Sequence, residues 1–261
     1  MGGIITVERR GRVALITHNR PEVSNAFAYE SYGAIRNAAE TLGEDPSVGA
    51  IVITGAGKHF SAGGDILRFR QLIDSGEFLV ADNILYADQM VAAIRRCPKP
   101  VIAMVNGVAT GAGLSCALSC DFRVVAPSSK LVMAFVNMGL CGDTGSLYFL
   151  PKLVGIPEAQ RMMMTGEPVK GEDALKTGLA SILAEEGALE ETAMAFAEKL
   201  ANRSTAAIAA QKEIINQYFF QDMDAYFQDE VAAMAALSRK PDFKAAVYAF
   251  LEKKTPQFNQ Q

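Results

Sequence analysis

The sequence predicts an α/β fold in which parallel strands alternate with helices and an all-helical region closes the chain. Three observations carry that expectation. Short runs of β-branched and aliphatic residues are followed by glycine turns and then by helical periodicity, an alternation that needs crossovers and hence parallel pairing. Several runs are continuously apolar, as in buried strands. After about residue 185 the texture changes to segments rich in Ala, Met and aromatics at helical spacing.

In chain order, Ile4 to Glu8 and Arg12 to Thr17 read as strands around a turn at Gly11. Asn25 to Leu42 reads as a helix stopped by Gly43. Val48 to Thr54 is a strand that runs into Gly55-Ala56-Gly57, and Ile84 to Arg96 is a helix closed by Pro98. Val101 to Val105 is a further strand entering Asn106-Gly107 and a small-residue helix start, and Phe122 to Ala126 is strand again. The closing helices are Gly187 to Asn202, Ala206 to Tyr218, Asp224 to Ser238 and Asp242 to Lys253. Apolar stripes on them suit subunit contacts, and intramolecular packing explains them nearly as well.

Composition bounds the function. Of 261 residues, 50% are hydrophobic and 21% charged, enough for a core in one large domain or one domain with an appendage. Net charge is −4, without the clustered Lys and Arg of a nucleic-acid footprint. A small anionic ligand can still be held by local cations and backbone amides. The most apolar stretch, Val101 to Ala126, is interrupted by Asn106, glycines and Asp121 and is not expected to span a membrane. No secretion signal is apparent. Met1-Gly2-Gly3-Ile4-Ile5-Thr6 matches the myristoylation pattern, although a first β-strand explains it as simply. Cys97, Cys116, Cys120 and Cys141 show no zinc spacing, so no metal is expected and reduced thiols in a cytoplasmic protein are the simplest account.

Several weak motifs fall away. Gly55-Ala56-Gly57-Lys58 lacks the glycine and hydroxyl positions of a phosphate loop, with Val52 and His59 in their places. Gly107, Gly111 and Gly113 lack dinucleotide-fingerprint spacing, and Pro127 to Lys130 holds no carboxylate for a ribose. His18 and His59 lie outside any zinc or serine-hydrolase context.

Two junctions resemble each other: Phe60-Ser61-Ala62-Gly63-Gly64-Asp65-Ile66, and Asn106-Gly107-Val108-Ala109-Thr110-Gly111-Ala112-Gly113. Small residues permit close approach of a ligand to free backbone N–H groups. One free amide from each turn, aimed at a common point, would make an oxyanion hole. Tight helix–strand packing also calls for small residues at such places.

Asn19-Arg20-Pro21-Glu22 with Asn25-Ala26, the two glycine turns, Lys99-Pro100-Val101-Ile102-Ala103, Cys120-Asp121, Gly139-Leu140, Leu150-Pro151, Val154-Gly155, Glu172 and Ala174 with Gly178-Leu179, and the tail Phe250 to Lys254 with Phe258 together resemble the enoyl-CoA hydratase/isomerase (crotonase) family, in the same order. The resemblance covers essentially the whole chain. It implies an α/β spiral of ββα units over residues 1–200, binding an acyl-CoA, and a helical trimerisation region over residues 201–261. It implies a homotrimer or hexamer acting in fatty-acid or aromatic-acid metabolism, with coenzyme A as part of the thioester substrate and no separate cofactor. It places the oxyanion amides on Gly64 and Ala112. The turn Ser24 to Ala26, with Ala62, Asp65, Ile66 and Leu67, would line the coenzyme A channel, and Phe250 and Lys253 would approach the adenine end.

The family's hydratases activate water with two glutamates, and their positions fall here on Ser115 and Phe135. Ordinary hydration is therefore not expected. Asp143, in Gly139-Leu140-Cys141-Gly142-Asp143-Thr144-Gly145-Ser146, occupies a place where epoxyphenylacetyl-CoA isomerase-like and chlorobenzoyl-CoA dehalogenase-like relatives carry a catalytic Asp. An Asp ahead of a helix also serves as an N-cap, here accepting from the Ser146 N–H. Moving a double bond needs a single base, whose pKa an apolar pocket raises; Phe135 and Cys141 are candidate walls. A dehalogenase needs a second base and a ring-packing tryptophan, where Asp88 and Phe135 stand. The leading expectation is an enoyl-CoA isomerase. A hydrolase or dehalogenase-like enzyme using the same Asp, with Asp88 as a further base, or a weakly catalytic acyl-CoA binder, are the alternatives.

Overall fold

The structure, a computed structural model, describes residues 3–259; Gly2, on which the myristoylation pattern depends, lies outside the described residues. Strands β1 (Ile5–Arg10) and β2 (Val13–His18) form an antiparallel hairpin around Gly11. Helix α1 (Tyr29–Glu44) begins later than the expected Asn25. A 3₁₀ turn at Pro21–Val23 is followed by Ser24 and Asn25, each at φ 54°, a left-handed conformation that Asn tolerates. The buried Asn25 side chain ties that turn down. It accepts from the Arg20 N–H at 2.9 Å and donates to the carbonyls of Ala56 at 2.8 Å and His59 at 2.7 Å.

Strand β3 (Ala50–Gly55) pairs parallel with β2. Helix α2 (Ile66–Asp74), which the sequence pattern did not announce, starts on an Asp65 cap, whose carboxylate accepts from the Leu67 N–H at 3.1 Å. Then come α3 (Ala81–Arg96), β4 (Val101–Val105), β5 (Val108–Thr110), α4 (Ala112–Ser119), β6 (Phe122–Val125) and β7 (Lys130–Val132). The chain continues through α5 (Ser146–Val154), α6 (Ile156–Thr165), β8 (Pro168–Lys170), α7 (Gly171–Thr177) and β9 (Ile182–Leu183). It ends in α8 (Leu189–Ala201), α9 (Thr205–Phe219), α10 (Met223–Leu237) and α11 (Pro241–Leu251).

The strands form two sheets. One has the order β1-β2-β3-β4-β6-β9, parallel apart from β1; the other has the order β5-β7-β8. Each circuit leaves one strand in the large sheet, the next in the small sheet, and then a helix, as in β4–β5–α4. After β3 the same path is taken by a single residue, Ser61, which bridges Ala109 of β5 before α2 begins. The architecture is thus a spiral of ββα units followed by a helical C-terminal region.

The central strands β3 and β4 are almost wholly apolar because both faces of the large sheet are covered there, whereas the edge strand β1 is polar and exposed. Ala14, Ile16, Ile51, Ile53, Ala103 and Val105 belong to the main core, whereas Val13, Leu15, Val52, Ile102 and Met104 meet Ala193, Ala197 and Ala201 of α8. Helix α9 is tied to the spiral by a buried ionic cluster. Asp121 accepts from Arg95, from the Val101 N–H at 2.8 Å and from Lys212 Nζ at 2.5 Å, and Lys212 also reaches the Lys99 carbonyl at 2.9 Å. Among the described residues, no helix is long and apolar enough to cross a membrane and no acidic, His or Cys cluster is arranged to hold a metal.

Removing the centre of that cluster would leave two buried cations facing each other. Asp121→Ala is expected to lower unfolding stability by about 3–5 kcal/mol, read from the urea midpoint at constant slope.

Candidate active site

The two glycine turns lie against each other. Ser61 N–H donates to the Val108 carbonyl at 3.0 Å and Thr110 N–H donates back to the Ser61 carbonyl at 3.1 Å. A Cβ on Gly63, which is at φ +86°, would lie 2.8 Å from the Thr110 oxygen, and one on Gly113 would lie 2.6 Å from the Ser61 Cβ. Only glycine fits at this contact.

Hydrogen bonds consume several of the amides around the turns. Ala62 N–H goes to the Ser24 carbonyl at 2.9 Å, Gly63 N–H to Ser61 Oγ at 3.1 Å, and Gly111 N–H to the Val132 carbonyl at 3.1 Å. Among the described residues the N–H groups of Gly64 and Ala112 have no protein acceptor. Ala112 is the first residue of α4, so its amide also carries the partial positive charge of a helix N-terminus.

Both turns border a cavity of about 360 Å³. Its walls come from α2 (Ile66, Phe69, Leu72), the Phe135 region and the closing helices (Met234, Ala246, Phe250). Ala62, Gly64, Asp65, Ile66, Ala112, Asp143 and Phe250 all line it. Ser24, Ala26, Leu67 and Lys253 do not. Ser24 and the buried Ala26 are held in the Pro21 turn by their carbonyls, which accept from the Ala62 N–H at 2.9 Å and the Arg20 guanidinium at 2.6 Å. Leu67 points to solvent at 54% exposure, and Lys253 sits in a left-handed turn at φ 56° that leaves Lys254 on the wall instead. Asp65 is also engaged structurally, capping α2 and pairing with Arg20 at 3.1 Å. Arg68 and Tyr32 line the cavity without having been singled out from sequence, because they reach it only through helix facing; Lys254, quoted only as part of the tail motif, reaches it as the tail folds back.

Asp143 stands in the loop before α5. That loop follows a strained path, with Gly142 at φ +134°, Thr144 at φ +56° and Gly145 at φ +74°. A β-branched residue in the left-handed region costs on the order of 1–3 kcal/mol and persists only where its surroundings insist. Here Thr144 is fully buried, Ser115 Oγ donates to the Asp143 carbonyl at 3.1 Å, and Gly145 N–H donates to Glu230 at 2.8 Å. Ser146 N–H also bonds the Asp143 main-chain oxygen, at 3.1 Å, rather than its carboxylate, and no side chain caps α5. The N-cap role considered for Asp143 is thereby replaced by a backbone turn. Its Oδ1 accepts from Thr144 Oγ1 at 2.8 Å, and its Oδ2 takes no hydrogen bond from the described residues. Burial pushes the carboxyl up to about 6, against a smaller lowering by the Thr144 hydroxyl.

Ser115 is buried and spends its hydroxyl on the carbonyls of Gly111 and Asp143; Phe135 forms cavity wall, whereas Cys141 does not. Asp88, weighed as a second base, is fully buried and off the cavity wall. Burial, then the charges of Glu230 and Asp143, push its carboxyl up.

A family model described as Enoyl-CoA hydratase/isomerase matches residues 8–261. The chain is 32% identical over 247 residues to trans-2-decenoyl-[acyl-carrier-protein] isomerase of Streptococcus mutans, covering 94% of each chain. It is 32% identical over 248 residues to 1,2-epoxyphenylacetyl-CoA isomerase of Escherichia coli, again covering 94% of each. Among solved structures, an enoyl-CoA hydratase from Mycobacterium avium subsp. paratuberculosis superposes with a TM-score of 0.89 at 29% identity, covering 98% of each chain.

The contact between the turns yields a direct test. Gly113→Ala must push Ser61 back, and a loss of about 1–3 kcal/mol in unfolding stability is expected, together with weakened binding of acyl-CoA esters by calorimetry.

Proposed function

We propose that this chain, which belongs to the enoyl-CoA hydratase/isomerase family, shifts a double bond within an enoyl thioester. The observation that carries the reading is the inventory of reactive groups on the cavity wall. Two unpartnered amides, Gly64 and Ala112, line the same cavity as one carboxylate with a free oxygen, Asp143. The positions at which hydratases of the family carry glutamates hold Ser115 and Phe135. A second carboxylate to activate water is missing from that pair of positions, and a 1,3-proton shift needs only one base.

In this reading the thioester carbonyl oxygen accepts from both amides. Asp143 takes a proton from the carbon next to the double bond, and the negative charge that develops spreads onto the carbonyl oxygen. The same carboxyl then returns its proton to the far end of the delocalised system, so no proton is gained or lost overall. Losing one amide of such a pair costs about 2.7–4 kcal/mol of transition-state stabilisation. A base with its pKa near 6 is better matched to proton abstraction at neutral pH than an ordinary carboxylate.

Ala62, Asp65, Ile66 and Phe250 would contact the coenzyme A part of the substrate, and Arg68 and Lys254 supply positive charge for its phosphates. Ser24, Ala26, Leu67 and Lys253 remain for the portion outside the cavity. The exposed side chains Ile214, Ile215, Tyr218 and Phe219 along α9 would join copies of the chain into a trimer.

Asp143→Asn is expected to cut turnover of 3-enoyl-CoA by about 10²–10⁴-fold with ester binding retained. Unchanged turnover, or release of free coenzyme A by the parent chain, would sink the reading. A protonated Asp143 cannot accept, so kcat/KM should be flat above neutrality and fall as pH drops through about 6. Light scattering should give a mass three times the 28.0 kDa chain, and Ile215→Glu should reduce it.

A further inference from the structure

Two more carboxyl groups meet beside the Asp143 loop, Asp88 from α3 and Glu230 from α10. Glu230, 4% exposed, has both oxygens engaged, one by the Gly145 N–H at 2.8 Å and one by the Tyr226 hydroxyl at 2.7 Å. Asp88, 0% exposed, receives no hydrogen bond at either oxygen. The other titratable groups facing the pair are Asp143 and Cys141 from the loop, Tyr226 from α10 and Tyr32 from α1; none is a cation.

Two ionised carboxylates side by side, dry and without a counter-ion, are prohibitively unstable. A proton on one of them resolves the conflict. Protonated Asp88 becomes an O–H donor to Glu230, which explains why its oxygens attract no donor of their own. Burial and the neighbouring charges push Asp88 up, and burial lifts Glu230, so one shared proton is favoured over two ionised carboxylates.

Hydrophobic residues would fill this space at less cost, so the pair calls for a purpose. Its contact with the loop backbone supplies it. Glu230 grips the amide of Gly145, two residues after the base, in a loop whose Thr144 sits at φ +56°. We propose that Asp88 and Glu230 share a proton and act as positioning residues, Glu230 clamping the Gly145 N–H and Asp88 making that clamp affordable, so that Asp143 is held where its free oxygen meets the substrate. The inference rests on Asp143 being the catalytic base.

Carbon-13 NMR of the full chain labelled at Asp and Glu carboxyls, combined with 3-enoyl-CoA kinetics, tests it. One Asp carboxyl should remain protonated at pH 8, and Asp88→Asn should abolish that signal. The asparagine amide still donates to Glu230, so Asp88→Asn should keep kcat within about threefold. Glu230→Met should lower kcat by about 10- to 100-fold with little change in KM, and the Asp143 titration should fall from about 6 towards its ordinary value. Glu230→Gln, which keeps an oxygen for Gly145, should recover most of the loss. If Glu230→Met does not fold, Glu230→Asp, which withdraws the oxygen, must show the kcat loss. All Asp carboxyls ionised at pH 8, or wild-type kcat in every Glu230 variant, overturns the pair. The NMR result stands whether or not enoyl-CoA is turned over, and turnover without a protonated Asp would refute the pair while leaving the isomerase reading intact.

Discussion

The contact between the two glycine turns is the constraint on which the rest of the site depends. Backbone amides in a folded chain are almost always paired, and an unpaired one in a dry place costs about 1–3 kcal/mol. The Ser61–Ala109 bridge pairs nearly everything around the turns, yet it brings α2 and α4 to begin beside one cavity with Gly64 and Ala112 left over. A ligand oxygen that accepts from both amides would satisfy a need built into the fold. The glycines at Gly63 and Gly113 are what make this possible, because any Cβ there would strike the opposite turn.

Against this fixed pair of donors the acidic side of the cavity is spare. Ser115 has become a strut for the Asp143 loop, and Phe135 has become wall. Two carboxylates facing one water would favour its addition across a double bond; one carboxylate in an apolar setting favours moving a proton along the substrate. In the proposed reading the choice between the two chemistries rests on the two positions held here by Ser115 and Phe135. This is why similarity to isomerases and hydratases alike is expected at about one-third identity.

Much of this was legible in the sequence. Continuous apolar runs such as Val101–Val105 marked strands buried on both faces, and the four closing helices fell close to their expected limits. The glycine turns were readable because their backbone requirements leave few residue choices. What escaped was set by tertiary contact. Asn25 looked like a helix residue, but its amide bonds to the carbonyls of Ala56 and His59, in a different part of the chain, and this delays α1 to Tyr29. Leu67 and Lys253 sat in the right stretches yet face away, since helix phase and a left-handed turn decide which neighbour reaches the cavity. Asp88 read as a spare base; its burial, invisible in composition, pushes its carboxyl up and keeps it off the cavity wall. Glu230 carried no signal at all, because nothing in a helical pattern reveals that its side chain will grip a loop from an earlier unit.

That last contact changes how the C-terminal helices are understood. An aspartate reaches less far than a glutamate, so the backbone must carry the Asp143 carboxylate to the cavity and must then be held. At Asp143 the holding is done from two directions, by Ser115 of α4 beneath the Asp143 carbonyl and by Glu230 of α10 on the Gly145 amide. Strain of on the order of 1–3 kcal/mol at Thr144 is comparable to the worth of one charge-assisted hydrogen bond, so removing the Glu230 grip leaves the loop close to balance between its strained path and a relaxed one. Helix α10 is in turn docked on α3, with the Asp88–Glu230 contact in their interface. Anything that shifts α10 therefore acts on the position of Asp143 through the Gly145 amide.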